Sequence, residues 1–163
     1  MVNEEELNLA LQLRKENNLL QSNQIFIKLA KDNPLNAYIQ YQCAWSYDRL
    51  GEEAKAVPYY EKAIQGGLAE EDLQSAYLGL GSTFRALGEY EKSKAVLTKA
   101  IELFPNNEAL RVFYAMTLYN LNEQQSAMEL LLKCIVNTSS DAEVQKYKRA
   151  IEFYADKLDE TWN

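Results

Sequence analysis

Apolar residues along the chain recur at intervals of three and four, the spacing that draws a stripe down one face of an α-helix, and no stretch reads as a strand. The pattern is plainest from Tyr77 to Asn107, where Leu80, Phe84, Leu97 and Ile101 supply the stripe, Gly88 ends one helix and Pro105 stops the next. Gly81 and Ala100 are small where two such helices must approach closely. This is a helical hairpin. It cannot bury its apolar face alone, so the rest of the chain is expected to supply copies that stack on it.

Copies are present on both sides. Asn3, with Glu6 three residues on, predicts an N-cap and a helix to about Lys15 that is apolar over a wide arc through Leu7, Leu9, Ala10, Leu11 and Leu13. Asn17-Asn18 turns the chain into a second helix, about Leu20 to Lys31, carrying Ile25, Phe26 and Leu29 and closed by Asn33-Pro34. The next pair is Ala37 to Leu50 and Glu53 to Gln65, joined at Gly51, with Ala56, Tyr60 and Ala63 inward and Gly66-Gly67 as the break. Pro58 lies in the first turns of its helix and is expected to bend it at most. Glu108 to Leu121 and Glu123 to Val136 form the last pair, with Ala115 and Ala127 at the small positions.

The turns Leu50-Gly51, Leu87-Gly88 and Leu121-Asn122 are 37 and then 34 residues apart. The three extra residues fall in Gly67 to Asp72, where they lengthen a linker or add most of a turn to the following helix. Ser140 with Glu143 predicts a capping box and a final helix from Asp141 to about Asp159. Its stripe of Val144, Tyr147, Ile151, Tyr154 and Leu158 suits a helix that closes the open end of a stacked array. The predicted fold class is all-α: a single domain over 1–163 of about four hairpins (roughly 3–33, 36–66, 70–104 and 107–137) and a capping helix over 140–159.

Composition narrows the function classes. A chain that is 47% hydrophobic with 3 Pro and 6 Gly suits a well-packed helical protein, and a net charge of −7 with 17 scattered Lys and Arg argues against nucleic acid. With no His and no phosphate-cradling Gly-rich loop after a strand, no catalytic residue is predicted and the expectation is a protein that is not an enzyme. Cys43 and Cys134 have no partner at metal-ligand spacing; they read as buried reduced thiols, and no metal or cofactor is expected. Residues 1–20 hold no signal peptide or membrane span, so a cytoplasmic location without a membrane partner is expected. On that expectation the glycosylation-like Asn137-Thr138-Ser139 is a chance match.

Gly81, Phe84, Leu87-Gly88, Tyr90, Ala100 and Pro105, repeated as Ala44, Tyr47, Leu50-Gly51, Ala56, Tyr60 and Ala63, resemble the tetratricopeptide repeat family over most of the chain. Gly67-Leu68 followed by Leu80 to Gly88 looks like a bacterial group of largely uncharacterised members. Gln40 and Arg111 replace the family's usual aromatic, Ser22 and Ser93 its usual Ala, Leu68 and Ser139 its usual Pro, which makes the first and fourth hairpins weak copies. The resemblance implies a right-handed superhelical solenoid whose first helices line a concave groove, and a scaffold that binds a protein or peptide partner there.

On the Ala37–Leu50 helix, Tyr38, Tyr41, Trp45 and Asp48 or Arg49 share one face. The other carries Cys43, Ala44, Tyr47 and Leu50 and must be the packed face because it holds the small repeat residues, so the aromatic stripe is expected to face the groove. The same register adds Leu78, Ser82 and Arg85 from the third hairpin and Val112, Met116 and Tyr119 from the fourth. Aromatics with Arg are the stuff of peptide hot spots, and Arg49 or Arg85 suits a ligand carboxylate. The alternative is that these side chains pack on neighbouring helices or on the chain's own terminal helix. Family members that hold a chaperone's terminal carboxylates use Lys and Asn where Leu7, Leu11, Tyr41 and Trp45 stand here, so that specificity is expected to be absent.

A second function class is a self-associating scaffold. Leu9, Ala10 and Leu13 are expected to face their own hairpin, which leaves Leu7 and Leu11 uncovered. At the other end Phe153 points away from Ile151, and Trp162 lies beyond the helix. Two ends with surplus apolar surface predict a homodimer; the alternative is a monomer whose terminal helix folds into its own groove.

Overall fold

The structure, a computed structural model, describes residues 2–162. Among them are ten α-helices and no strand: α1 (Glu4–Lys15), α2 (Leu19–Asp32), α3 (Ala37–Asp48), α4 (Glu53–Gln65), α5 (Glu70–Ala86), α6 (Tyr90–Leu103), α7 (Glu108–Asn120), α8 (Gln124–Thr138), α9 (Ala142–Lys146) and α10 (Lys148–Tyr154). They form two compact units, Met1–Glu89 and Tyr90–Asn163. No helix of the described residues is long and apolar enough to cross a membrane.

The repeat period is written in the turns. Asn17, Gly51, Gly88 and Asn122, one per hairpin turn, all have left-handed backbone, with φ of 64°, 70°, 76° and 61°. Glycine adopts this conformation freely and Asn at modest cost, and it stops one helix so that the next can start antiparallel to it. The starts recur too. Asn3, Asn36 and Asn107 each accept a bond from the backbone N–H three residues ahead, capping α1, α3 and α7. The third hairpin lacks this cap: α5 starts after Ala69, which has no capping side chain, and its 17 residues absorb the extra sequence as about one added turn.

In the first unit α3 is the central element, packed against α2, α4 and α5. Seven of its twelve residues are buried as a result, the polar Gln40, Gln42 and Ser46 among them. Ala10, Phe26, Leu29, Ala30, Ile39 and Cys43 form one apolar cluster across α1, α2 and α3. At Ser22 and Gln40, two of the places where the family pattern is broken, the replacement finds a hydrogen bond. Ser22 donates to Ala10 O at 2.8 Å, and Gln40 Nε2 donates to Ala30 O and Asn33 O, tying the end of α2 to α3. Pro58 sits inside an unbroken α4.

Gly79 allows a close approach between α4 and α5. A β-carbon there would lie 2.5 Å from the Tyr60 ring, which uses the gap to reach from α4 to Asp48 at the end of α3. Tyr60 donates to Asp48 Oδ2 at 2.6 Å, and Thr83 Oγ1 lies 3.0 and 3.1 Å from the two carboxylate oxygens. Gly81, the small residue singled out by the sequence, is buried as well.

In the second unit α7 packs against both α6 and α8, and α8 carries α10 on its other side. Ala115, Leu118 and Ala127 form the α7–α8 seam, as the small positions predicted. Ser93 and Thr117 share a buried hydrogen bond of 2.8 Å between α6 and α7.

The closing segment departs from the expected single helix. It breaks at Tyr147 (φ −95°, ψ 9°) and ends at Tyr154, so Leu158 lies outside it. The N-cap is Asp141, not Ser140: its carboxylate accepts from the N–H groups of Glu143 and Val144, and acceptance from the second residue on suits a short, tight first turn. The break changes the register, so Val144 and Ile151 are half-buried and Ala155 fully buried, while Tyr147, Tyr154 and Leu158 are exposed. Gln145 Nε2 donates to Val136 O and Ser139 O, covering carbonyls that the end of α8 leaves unpaired.

Candidate functional site

The first helices of the first two hairpins bring a cation and three aromatic rings together. Tyr38, Tyr41 and Trp45 lie along one face of α3, as their spacing predicts, and Arg49 caps its C-terminal end. Tyr38, Trp45 and Arg49 are exposed. Tyr41 is not, at 8%. Its ring stacks on Trp45 with centroids 6.3 Å apart and tilts against Tyr60 at the same distance. It therefore supports the exposed indole rather than offering itself. Burial raises the pKa of both Tyr38 and Tyr41, and the charge of Asp72 on α5 pushes each the same way.

Under Trp45 lies Arg14 of α1, which the sequence reading did not single out. Its guanidinium sits 4.3 Å from the Trp45 ring centroid and 4.5 Å from that of Phe26. The signal was available: Leu7, Leu11 and Arg14 follow a four-three spacing, so a polar head placed one turn beyond two leucines was due to land on the same face. Desolvation lowers its pKa to about 10. Leu7 and Leu11 themselves are half-buried against the Ala10–Phe26–Ile39 cluster, so the chain does cover them. Leu9, expected to face its hairpin, is about half exposed instead, because Ala10 takes the innermost position and Leu9 stands a hundred degrees round from it.

Leu78, Ser82 and Arg85 lie along one face of α5, each half-buried. Arg85 Nε has no hydrogen-bond partner. In the second unit Val112 is half-buried and Met116 and Tyr119 are exposed, Tyr119 at 64%. None of these three lines the cleft of about 280 Å³ between α7 and α8, which is bordered by Tyr114, Leu118, Glu123, Leu130 and Lys133. At the C-terminus Phe153, Tyr154 and Trp162 form an exposed cluster of three rings, with centroids 5.1 to 6.1 Å apart. Both thiols are free and buried, with their pKa raised to about 12 by desolvation; Cys134 donates to Glu108 Oε2 at 3.0 Å. No cluster of three potential metal-ligating residues occurs among the described residues.

The profile of the tetratrico peptide repeat family matches residues 37–158. Superkiller protein 3 of Saccharomyces cerevisiae is 27% identical over 94 residues, or 58% of this chain and 6% of its own length. Among solved structures, a fragment of MamA from Desulfovibrio magneticus RS-1 superposes with a TM-score of 0.75 at 11% identity, covering 95% of this chain and 91% of that one. YrrB, described as a tetratricopeptide repeat protein with an unusual peptide-binding site, superposes at 0.69 and 18% identity, covering 94% of this chain and 80% of that one. The repeated left-handed turns, the small residues at the helix seams and the family match over three quarters of the sequence agree: the chain belongs to the tetratricopeptide repeat family.

Proposed function

We propose that the protein is a non-catalytic interaction scaffold that binds a segment of a protein partner on the face made by Tyr38 and Trp45 of α3 and by Arg49 at its C-terminal end. The observation that carries this is a tryptophan held in place from behind, by Tyr41 and Arg14, while 38% of its surface stays open to solvent. A rigid aromatic with an adjacent arginine loses little conformational freedom on binding and buries a large area. Leu78, Ser82 and Arg85 on α5 extend the surface; Val112, Met116 and Tyr119 are a further candidate row on α7. Pull-down or peptide-array binding should weaken at least tenfold in Trp45→Ala combined with Arg49→Ala. Binding that survives the pair removes the assignment.

A second reading, self-association, rests on the three-ring cluster of Phe153, Tyr154 and Trp162, an uncovered aromatic patch of a kind that is uncommon on monomers. Leu7 and Leu11 are too engaged in their own core to share in such an interface. Light scattering over a dilution series should then give a two-chain mass that Phe153→Glu reduces to one. A single-chain mass at every concentration discards this reading.

A further inference from the structure

Arg14 is 8% exposed, yet its guanidinium meets no carboxylate. Nη1 donates to Gln42 Oε1 at 2.6 Å and Nη2 to the Gln42 carbonyl at 3.1 Å, while Nε has no hydrogen-bond partner. A buried cation is costly unless something answers its charge, and here only neutral groups do, two ring faces and the oxygens of Gln42. Of the two rings, Phe26 is fully buried and Trp45 is open to solvent, so the Trp45 side is the way in. Arg49 is close enough to Arg14 for their charges to interact, and it too makes no ion pair with a described residue. Asp72 reaches Tyr38 and Tyr41 by its field but bonds to neither arginine. Two unpaired positive charges on one face stand out in a chain with 24 Asp and Glu and a net charge of −7.

We propose that Arg14 is the anchoring subsite of this face: it receives a side-chain carboxylate, Asp or Glu, from the bound segment beside the Trp45 indole, with Arg49 meeting a second acidic group at the rim. The occupant is thus an acidic stretch of a protein partner. Charge complementarity selects it, and a guanidinium with unused N–H donors matches a planar carboxylate in a way that a lone ammonium does not. The assignment rests on the peptide-binding reading above and adds the ligand's chemistry to it.

The test uses the full chain with Trp162→Phe, which leaves Trp45 as the only indole. Random twelve-residue peptides displayed without a free C-terminus are panned against it, and the best is synthesised alongside a copy with its Asp and Glu replaced by Asn and Gln. The expected result is a shared acidic position among the enriched peptides, a change in Trp45 fluorescence on binding, and at least tenfold weaker binding of the neutral copy. Arg14→Gln should erase the difference between the two peptides, and Arg14→Lys, which keeps charge and most of the packing, should shrink it. If Arg14→Gln loses its helical circular dichroism, the lysine variant and the fluorescence response decide. Enrichment with no acidic preference, discrimination that survives in a folded Arg14→Gln, or inorganic phosphate moving the fluorescence as far as the peptide does would each overturn the Arg14 assignment while leaving the peptide face standing. No enrichment at all overturns both.

Discussion

At Gly79 the Tyr60 ring occupies the space a β-carbon would need, and the same ring ends in a hydroxyl bonded to Asp48. Gly79→Ala should therefore destabilise the protein by ~1–3 kcal/mol, as overpacking does. The cost should shrink in a Tyr60→Leu background, which chemical denaturation of the four variants would show. Sequence spacing marked Gly81 instead, because a period locates a helix seam but not the residue at which a long ring crosses it. Asp48 carries a pH signature. Burial raises its pKa above the ordinary 3.8, the hydrogen bonds from Tyr60 and Thr83 opposing this only in part. A carboxyl that holds its proton to higher pH when folded contributes most below 3.8, and that contribution is lost as pH rises through the folded value. The stability of wild type relative to Asp48→Asn should accordingly increase on acidification through this window, measured as paired urea midpoints. An unchanging difference removes the account.

Hairpins one and four carry Asn where hairpins two and three carry Gly, all four in left-handed conformation. Asn122→Ala should cost about 1 kcal/mol, whereas Asn122→Gly should be neutral or slightly stabilising, in thermal unfolding. Equal losses in both variants would mean that the Asn side chain, not the backbone, holds the turn. The eight hairpin helices were legible because the hairpins repeat the same local instructions: a three-four stripe on each helix and a left-handed stop between the two, with an Asn cap opening three of the four. The closing segment was less so. A stripe from Val144 to Leu158 predicts one long helix, but nothing packed on its far side holds Tyr147 in register, and the chain resolves into two short helices around it. Arg14 was missed for a related reason, since an arginine in a helical pattern reads as solvated until the structure shows two rings closing over it.

At the scale of the molecule, family membership follows from features spread over the whole chain, while the proposed binding face depends on a few side chains of α1, α3 and α5. That separation explains why the fold could be read from spacing, whereas Tyr41, an apparent groove residue, turned out to be a buried support. One feature of the core converts into a clock. Each compact unit contains one cysteine, Cys43 in the first and Cys134 in the second, and both are buried with their thiols held far from ionisation. Since only the exposed thiolate reacts, the labelling rate of each cysteine with a thiol reagent measures how often its own unit opens. Cys134 should be labelled first, because its unit ends in helices of five and seven residues, lengths that are marginal unless tertiary packing holds them. Mass spectrometry of the singly modified protein tells the two apart. Identical rates at both positions would instead mean that the two units melt in a single step, and that no part of this chain comes undone before the whole.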